Sequence, residues 1–429
     1  MRVFTLSFLI VVGVLGVAGG ALAMVGLARW GAAGWYYHYD PEYRLLCGQQ
    51  ALHKGDAGRA KEIALILEAD GYRDQACLLR GEEMFLQGKS YAEANKPEVA
   101  APMLSKALGE LFKIRDKGAL LLKASVIIGE CHLYLRQFHE AEGAFTFVVD
   151  NDEQNADAHR GLASIYHDQG AMSRAIFHLE KVAELDPSDG RPYRLMGLIY
   201  KDQEQYDLAI ENYEKALERR LPPRVRNLDP DVVRKELVEC LVRRAHYGQA
   251  LEALEQLNPL PDDAAAVEAL RAESLIGLDR RSEARAVLDE AMRIYSNNGD
   301  LFRLRAQLHL EASEFEQARA GLDRALLIDS NDYRSRYLLI QVLQSLGRLQ
   351  EVKEEQFKLD QLKKNLDERT WLTQEAVNKP WDASIRLRLA ELCEKLVRPD
   401  LGIMWRQAAA ACPPSPIQEK KREKAKSGN

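Results

Sequence analysis

Small residues recur every 34 positions in this chain, and this spacing constrains the possible folds more than any other feature of the sequence. Gly129, Ala163 and Gly197 form one series with this spacing. A second series has one longer step, from Ala209 to Ala250, and comprises Ala141, Ala175, Ala209, Ala250, Ala284, Ala318 and Val352. A period of about 20 to 50 residues is typical of stacked repeats, in which each unit is one supersecondary element.

Large aromatic residues surround the small ones in a regular way. Two antiparallel helices can approach closely only where small side chains face each other, as Gly197 and Ala209 would in one unit. Tyr200, Tyr206 and Tyr213 would then fill the space on either side. One such hairpin cannot bury its remaining apolar face alone, so it must lean on its neighbours. The pattern therefore indicates helix packing and not an active site.

The spacing and residue types resemble those of the tetratricopeptide repeat, a family of helix–turn–helix units with small residues at repeat positions 8, 20 and 27. The residues of one unit that match are Tyr193, Met196, Gly197, Tyr200, Tyr206, Ala209, Tyr213 and Ala216. The preceding unit departs from the family at position 27, where it has Val182. The resemblance implies an all-α solenoid, a right-handed superhelix of antiparallel helix pairs, with about ten pairs and few or no strands.

We expect the tandem array to span residues 41–353, with an extended helix and connection at 354–381 and a further helix pair at 382–413. A basic, proline-containing tail at 414–429 has the composition of a disordered segment. The repeat register is least regular in Ala76–Leu108, which needs about seven extra residues between its helices. That register also places Pro102 inside the second helix, where proline should kink it.

An uncharged run, Val3–Ala28, precedes the repeats. At about 1.5 Å per residue, a helix of this length could cross a hydrocarbon core of about 30 Å. We expect residues 1–29 to be a transmembrane anchor and residues 30–40 to be an aromatic linker at the membrane surface. A secretory signal cleaved after Ala23 is the alternative. The anchored reading predicts a single-pass protein of the bacterial inner membrane with an extracytoplasmic soluble region.

Composition excludes several functional classes. The net charge of −6 lacks the basic excess that is typical of proteins that coat nucleic acid, so no nucleic-acid partner is expected. The six cysteines form no C-x-x-C pair, and the chain contains neither a phosphate-binding loop nor a nucleophile motif. We expect no cofactor and no metal. The one local cluster of ligand-type residues, Cys131-His132 with His139, is interpreted as ordinary packing, with a thiol- or metal-dependent enzyme as the alternative.

The first helix of each unit lines the concave face in the family that the chain resembles, where positions 2, 5, 9, 12 and 13 contact ligands. Cations occupy several of these positions here: Arg160, Arg191, Arg194, Lys201, Lys235, Arg303 and Arg334. Such a row could hold an acidic segment or a C-terminal carboxylate of a partner protein. The alternative is that Asp168, Asp202 and Glu239 neutralise these cations. The family's clamp for chaperone tails is not indicated, because its position 9 asparagines are replaced by Ser164 and Leu198.

These observations favour a membrane-anchored scaffold that binds partner proteins or peptides in a concave groove. The alternatives are a secreted or periplasmic binding protein of the same fold, or an enzyme that uses the Cys131–His132 region.

Overall fold

The computed structural model describes residues 40–169, 171–221, 229–379, 381–396, 399–410 and 412. The predicted anchor at 1–29, the tail at 414–429 and nearly all of the aromatic linker lie outside these residues. The chain divides between Glu153 and Gln154 into two compact units, which are described separately. None of the helices in the described ranges combines the length and the apolar character that a membrane span requires.

Helices make up both units. The first unit contains α1 Pro41–His53, α2 Ala57–Ala69, α3 Arg73–Glu93, α4 Pro97–Leu111, α5 Ala119–Tyr134 and α6 Phe138–Asn151. The second unit begins with α7 Ala156–Asp168, α8 Met172–Leu185, α9 Arg191–Asp202, α10 Tyr206–Leu217, α11 Pro230–Arg243, α12 Tyr247–Glu255 and α13 Ala264–Gly277. It continues with α14 Arg281–Ile294, α15 Gly299–Glu311, α16 Phe315–Ile328, α17 Tyr333–Ser345, α18 Leu349–Asn378, α19 Ala383–Lys395 and α20 Pro399–Ala410. The described residues contain no strand, only one isolated bridge between Asp189 and Arg220.

The small residues of the 34-residue series lie where paired helices meet. Ala175, Ala209 and Ala284 have no exposed surface. Gly197 on α9 faces the ring of Tyr213 on α10, and a Cβ atom added at Gly197 would lie 2.9 Å from the ring atom Cδ1. The sequence pattern predicted that Gly197 would face Ala209 with Tyr213 to one side, but the atoms nearest to the added Cβ are those of the Tyr213 ring.

Two regions differ from the regular repeat. The extra residues in the Ala76–Leu108 region lengthen α3 to 21 residues and do not form a longer loop, contrary to the expected position between the helices. Pro102 lies inside α4, as expected. The segment at 354–381 belongs mostly to α18, a 30-residue helix that begins at Leu349 as the partner of α17.

The turn between the two helices repeats one backbone geometry in six of the described pairs. A residue with φ between 56° and 62° stands at each of these positions: Asn95, Arg136, Glu204, Ala245, Asp279 and Ser313. At Ala245, the backbone N–H donates to the Val242 carbonyl, and the next N–H donates to the Leu241 carbonyl. This pair of bonds is the Schellman motif, which satisfies carbonyls that a helix end would otherwise leave unpaired. Side chains with a Cβ are strained in this conformation.

Ala245→Gly is therefore expected to raise the free energy of unfolding by about 0.5–1 kcal/mol, because glycine adopts positive φ without the Cβ clash. Urea unfolding followed by circular dichroism measures the change. Ala286→Gly, on the exposed face of α14, should lower stability by about 1 kcal/mol, because the same substitution lies there in a helix interior. Two changes of the same sign would contradict the strain at Ala245.

Candidate functional site

The seven predicted cations lie on the first helices of the repeats of the second unit or at their starts, and each contacts a carboxylate. The pairs are Arg160–Asp157, Arg191–Asp189, Arg194–Glu236, Lys201–Glu239, Lys235–Asp263, Arg303–Asp300 and Arg334–Glu273. Of the acidic residues expected to neutralise them, Glu239 pairs with Lys201, with 3.0 Å between Nζ and Oε2. The positive charge of the row is thus balanced locally.

Arg303 is the centre of the largest of these ion networks. It is 4% exposed and contacts both Asp300 and Glu273, whose carboxylate oxygens lie 2.8 Å and 3.4 Å from Nη2. Burial alone would lower the pKa of this guanidinium, but the attraction of Asp300 and Glu273 raises it overall. A buried, paired arginine of this kind holds helices together and leaves little surface for a ligand.

Arg194 is similarly committed. Its Nε and Nη2 donate to the two carboxylate oxygens of Glu236 over 3.3 Å and 2.8 Å, and both side chains are largely buried. Reversing the charge of Arg194 would bury two neighbouring carboxylates, which is costly. A charge reversal there would change stability as well as any ligand contact.

A cavity of about 310 Å³ lies along the first helices of successive repeats. Its walls come from α9, α10, α11, α13, α15 and α17, and we refer to it as the inner-helix cavity. Its lining residues are Lys201, Tyr206, Glu239, Val242, Arg243, Ala266, Ala269, Leu270, Glu273, Asp300 and Arg334. Of the seven predicted cations, Lys201 and Arg334 belong to this lining, and the other five do not.

The charges of the inner-helix cavity leave one cation without a partner. Burial alone would lower the pKa of Lys201, but the attraction of Glu239 beside it outweighs burial. The pKa is therefore raised above its usual range, and the lysine stays charged. Arg334 donates to Glu273 over 3.3 Å. Arg243, in contrast, is exposed and makes no ion pair with any residue in the described ranges. It is the free guanidinium of this wall.

Apolar side chains lie beside Arg243. Val242, Ala266, Ala269 and Leu270 form an apolar part of the lining, and Tyr206 adds an aromatic ring. Six of the eleven lining residues are charged and five are apolar or aromatic, so a ligand there would meet both kinds of contact. Arg243 was not among the predicted cations, although it occupies repeat position 13 when Lys235 is placed at position 5.

The Cys131–His132 region has the properties of a packed interior. Cys131 belongs to the core of the first unit, and burial, with a smaller effect of Glu130, raises the pKa of its thiol to about 12. A thiol with this pKa is protonated near neutral pH and is a poor nucleophile. The His132 Nδ1 atom lies 2.6 Å from the side-chain oxygen of Gln137. Across the part of the chain that the structure describes, no group of three or more metal-ligating side chains comes together.

Comparison with known proteins identifies repeats in the middle of the chain. Two family models, both described as tetratricopeptide repeat, match residues 129–190 and 191–221. Anaphase-promoting complex subunit 3 of Schizosaccharomyces pombe is 24% identical over 34% of this chain and 21% of its own length. Hsp70-Hsp90 organizing protein 1 of Glycine max is 29% identical over 19% of this chain and 14% of its own length.

Among solved structures, a tetratricopeptide repeat protein from Parabacteroides merdae is similar, with a TM-score of 0.39 and 17% sequence identity. The match covers 62% of this chain and 99% of that one. Of the curated relatives named above, in contrast, the chain spans only about a fifth of the length or less. Residues 129–221 match tetratricopeptide repeats, and the described residues of both units form successive helix pairs.

Proposed function

We propose that this protein is an interaction scaffold that holds a segment of a partner protein in the inner-helix cavity. The observation that carries the proposal is that five consecutive first helices, α9, α11, α13, α15 and α17, contribute to a single cavity wall with one unpaired guanidinium. A wall built from successive repeats suits an extended segment, because each repeat can contact a different part of it.

The ligand we propose is a segment with a carboxylate beside a small or medium apolar side chain. The carboxylate would pair with Arg243, whose planar guanidinium can donate two parallel hydrogen bonds. The apolar side chain would bury itself against Ala269 and Leu270. Lys201 and Arg334 would contact the bound segment, but each is paired with a carboxylate and adds no net positive charge. The acidic ligand expected from the row of cations would therefore pair with one residue, Arg243, and not with the whole row.

The relatives support a protein partner in general terms. The organizing protein of Glycine max is named for Hsp70 and Hsp90, and the relative from Schizosaccharomyces pombe is named as a subunit of a multiprotein complex. These names describe proteins that assemble with other proteins. The stretches of these relatives that align with this chain cover a fifth or less of their length, so the partner proposed here is defined by its chemistry and not by theirs.

Peptides selected from a displayed random library against the full chain provide a probe for this site. We expect Arg243→Glu to weaken the binding of the selected peptides by about 10- to 100-fold, because one charge-assisted contact is lost and a like charge is introduced. Fluorescence anisotropy of a labelled peptide measures the change, and Arg243→Lys should retain part of the affinity.

Arg244→Glu is the matched control, because Arg244 is the next residue, is also exposed and pairs with Asp207 outside the cavity lining. It should leave peptide affinity within about twofold of the unmodified protein. Equal losses in the two variants, or none in Arg243→Glu, would show that the selected peptides bind elsewhere.

We also propose that residues 3–28 anchor the protein in a bacterial inner membrane, with the soluble region on the extracytoplasmic side. The support is the uncharged length of the run and the aromatic cluster that follows it. Anchoring predicts that the full chain stays in the membrane fraction after alkaline carbonate washing and that added protease digests it in spheroplasts. A mature protein that begins after Ala23 would instead support the secreted alternative.

A further inference from the structure

Arg386 on α19 is a buried cation without a carboxylate partner in the described ranges. It is 2% exposed and donates to four main-chain carbonyl oxygens, and the Cys412 thiol also lies within its reach. Three of them belong to the neighbouring backbone, at Ala376, Lys379 and Asp382, with distances of 3.3 Å to 3.5 Å. The carbonyls of a helix C-terminus carry partial negative charge and can accept from a cation.

The fourth acceptor lies 217 positions away in the sequence. The Arg386 Nη2 atom donates over 3.4 Å to the carbonyl of Gln169, the residue that caps the C-terminus of α7. This hydrogen bond joins the last helix pair of the second unit, α19–α20, to its first helix. All the helices that line the inner-helix cavity lie between these two elements in the chain.

A guanidinium enclosed in this way is held less tightly than one paired with a carboxylate. The desolvation of a cation costs several kcal/mol, and long hydrogen bonds to neutral carbonyls offset this less fully than a carboxylate would. Separation of α19 from α7 would return part of the guanidinium to water and relieve that cost. The free energies of the closed and open contact are therefore close enough for the contact to open and close.

We propose that Arg386 is a clasp that holds the C-terminal pair α19–α20 against the end of α7 and that it opens reversibly. In the closed state the helices that line the inner-helix cavity, which lie between α7 and α19 in the chain, are held at fixed spacing. In the open state the C-terminal pair separates from α7, and the intervening repeats can change their spacing. The proposal concerns the conformation of the unit and does not depend on which ligand the cavity binds.

Hydrogen exchange of the full chain, read by mass spectrometry, tests the clasp. Arg386→Leu should increase exchange by about tenfold or more in peptides that cover the C-terminal half of α7, as well as in α19. Arg388→Leu is the matched control, because Arg388 lies on the same helix but pairs at the surface with Glu368 and Glu391. It should leave α7 unchanged, and Arg386→Lys, which keeps the charge with fewer donors, should give an intermediate effect.

The response of α7 decides the outcome even if Arg386→Leu unfolds α19 and α20. If Arg386 acts only on its own neighbourhood, Arg386→Leu will change hydrogen exchange only in α18, α19 and α20. That result would overturn the clasp. Faster exchange in α7 with α9–α17 otherwise folded would support it, because the hydrogen bond to Gln169 links these distant segments.

Discussion

Gly129→Val is expected to lower the free energy of unfolding of the α5–α6 pair by about 3 kcal/mol. A Cβ atom added at Gly129 would lie 2.7 Å from the ring atom Cζ of Phe145, and this ring is fully buried. The ring cannot move away without displacing the core around it, because protein interiors are close-packed. Overpacking of a core by one or two groups costs about 1–3 kcal/mol, and valine adds its branched Cγ atoms to the clash.

Urea unfolding followed by circular dichroism measures the effect of Gly129→Val, and hydrogen exchange locates it in α5 and α6. Gly143→Ala on α6 is the matched control, because no atom lies within 4 Å of an added Cβ there. It should stabilise the helix by about 0.5–1 kcal/mol, since alanine is the better helix former. If Gly129→Val proved neutral, the 34-residue series of small residues would not mark close helix contacts.

Acid is expected to destabilise the α7–α8 pair through His178, whose ring lies against that of His159. The Nδ1 atoms of His159 and His178 lie 2.9 Å apart, so one ring donates and the other accepts, and both cannot carry a proton on these atoms. Burial, then the proximity of His159 and Arg174, lowers the pKa of His178 to about 4. The aromatic rings of Tyr166 and Phe177 also pack against His178 and offer no negative charge.

The unfolded chain binds a proton at His178 near its ordinary pKa of about 6.5, well before the folded chain does. The stability that is present above about pH 6.5 should therefore fall as the pH drops toward 4, by about 1–2 kcal/mol in total, because solvent screens a half-buried ring. Urea unfolding at several pH values measures the loss, and hydrogen exchange assigns it to α7 and α8.

His178→Asn retains an amide near the position of the ring nitrogen but cannot titrate, so it should flatten the pH dependence between 6.5 and 4. His53→Asn, on the exposed surface of α1, controls for the loss of a histidine in the other unit. An undiminished slope in His178→Asn would assign the acid sensitivity to other groups.

The helical fold could be predicted because its main determinants are local and periodic. The alignment of Gly129, Ala163 and Gly197 places small residues at helix contacts, and this depends only on sequence spacing. The turn residues were less predictable. Ala245 and Glu204 adopt positive φ although their residue types do not require it, because the two helices that flank each turn impose the geometry.

The candidate site could be predicted only in part. Repeat positions placed Lys201 and Arg334 among the candidates, and both line the inner-helix cavity, but repeat positions could not show which cations carry a carboxylate partner. Four of the seven pairs connect different repeats, as Arg194–Glu236 does over 42 positions, whereas the pairs of Arg160, Arg191 and Arg303 with Asp157, Asp189 and Asp300 are local. Arg243 stands out only after these pairs are known, since it shares the lining with Glu239 and Glu273 but forms no ion pair in the described ranges.

A photo-crosslinking residue at Ala266 would report directly on what enters the inner-helix cavity. Ala266 lines the cavity, and Ala286 on the exposed face of α14 provides the matched position outside it. In cells that express the full chain, we expect crosslinks from Ala266 to a partner protein and expect Arg243→Glu to suppress them. Crosslinks of equal yield from Ala286, unaffected by the charge at Arg243, would contradict binding at the inner helices.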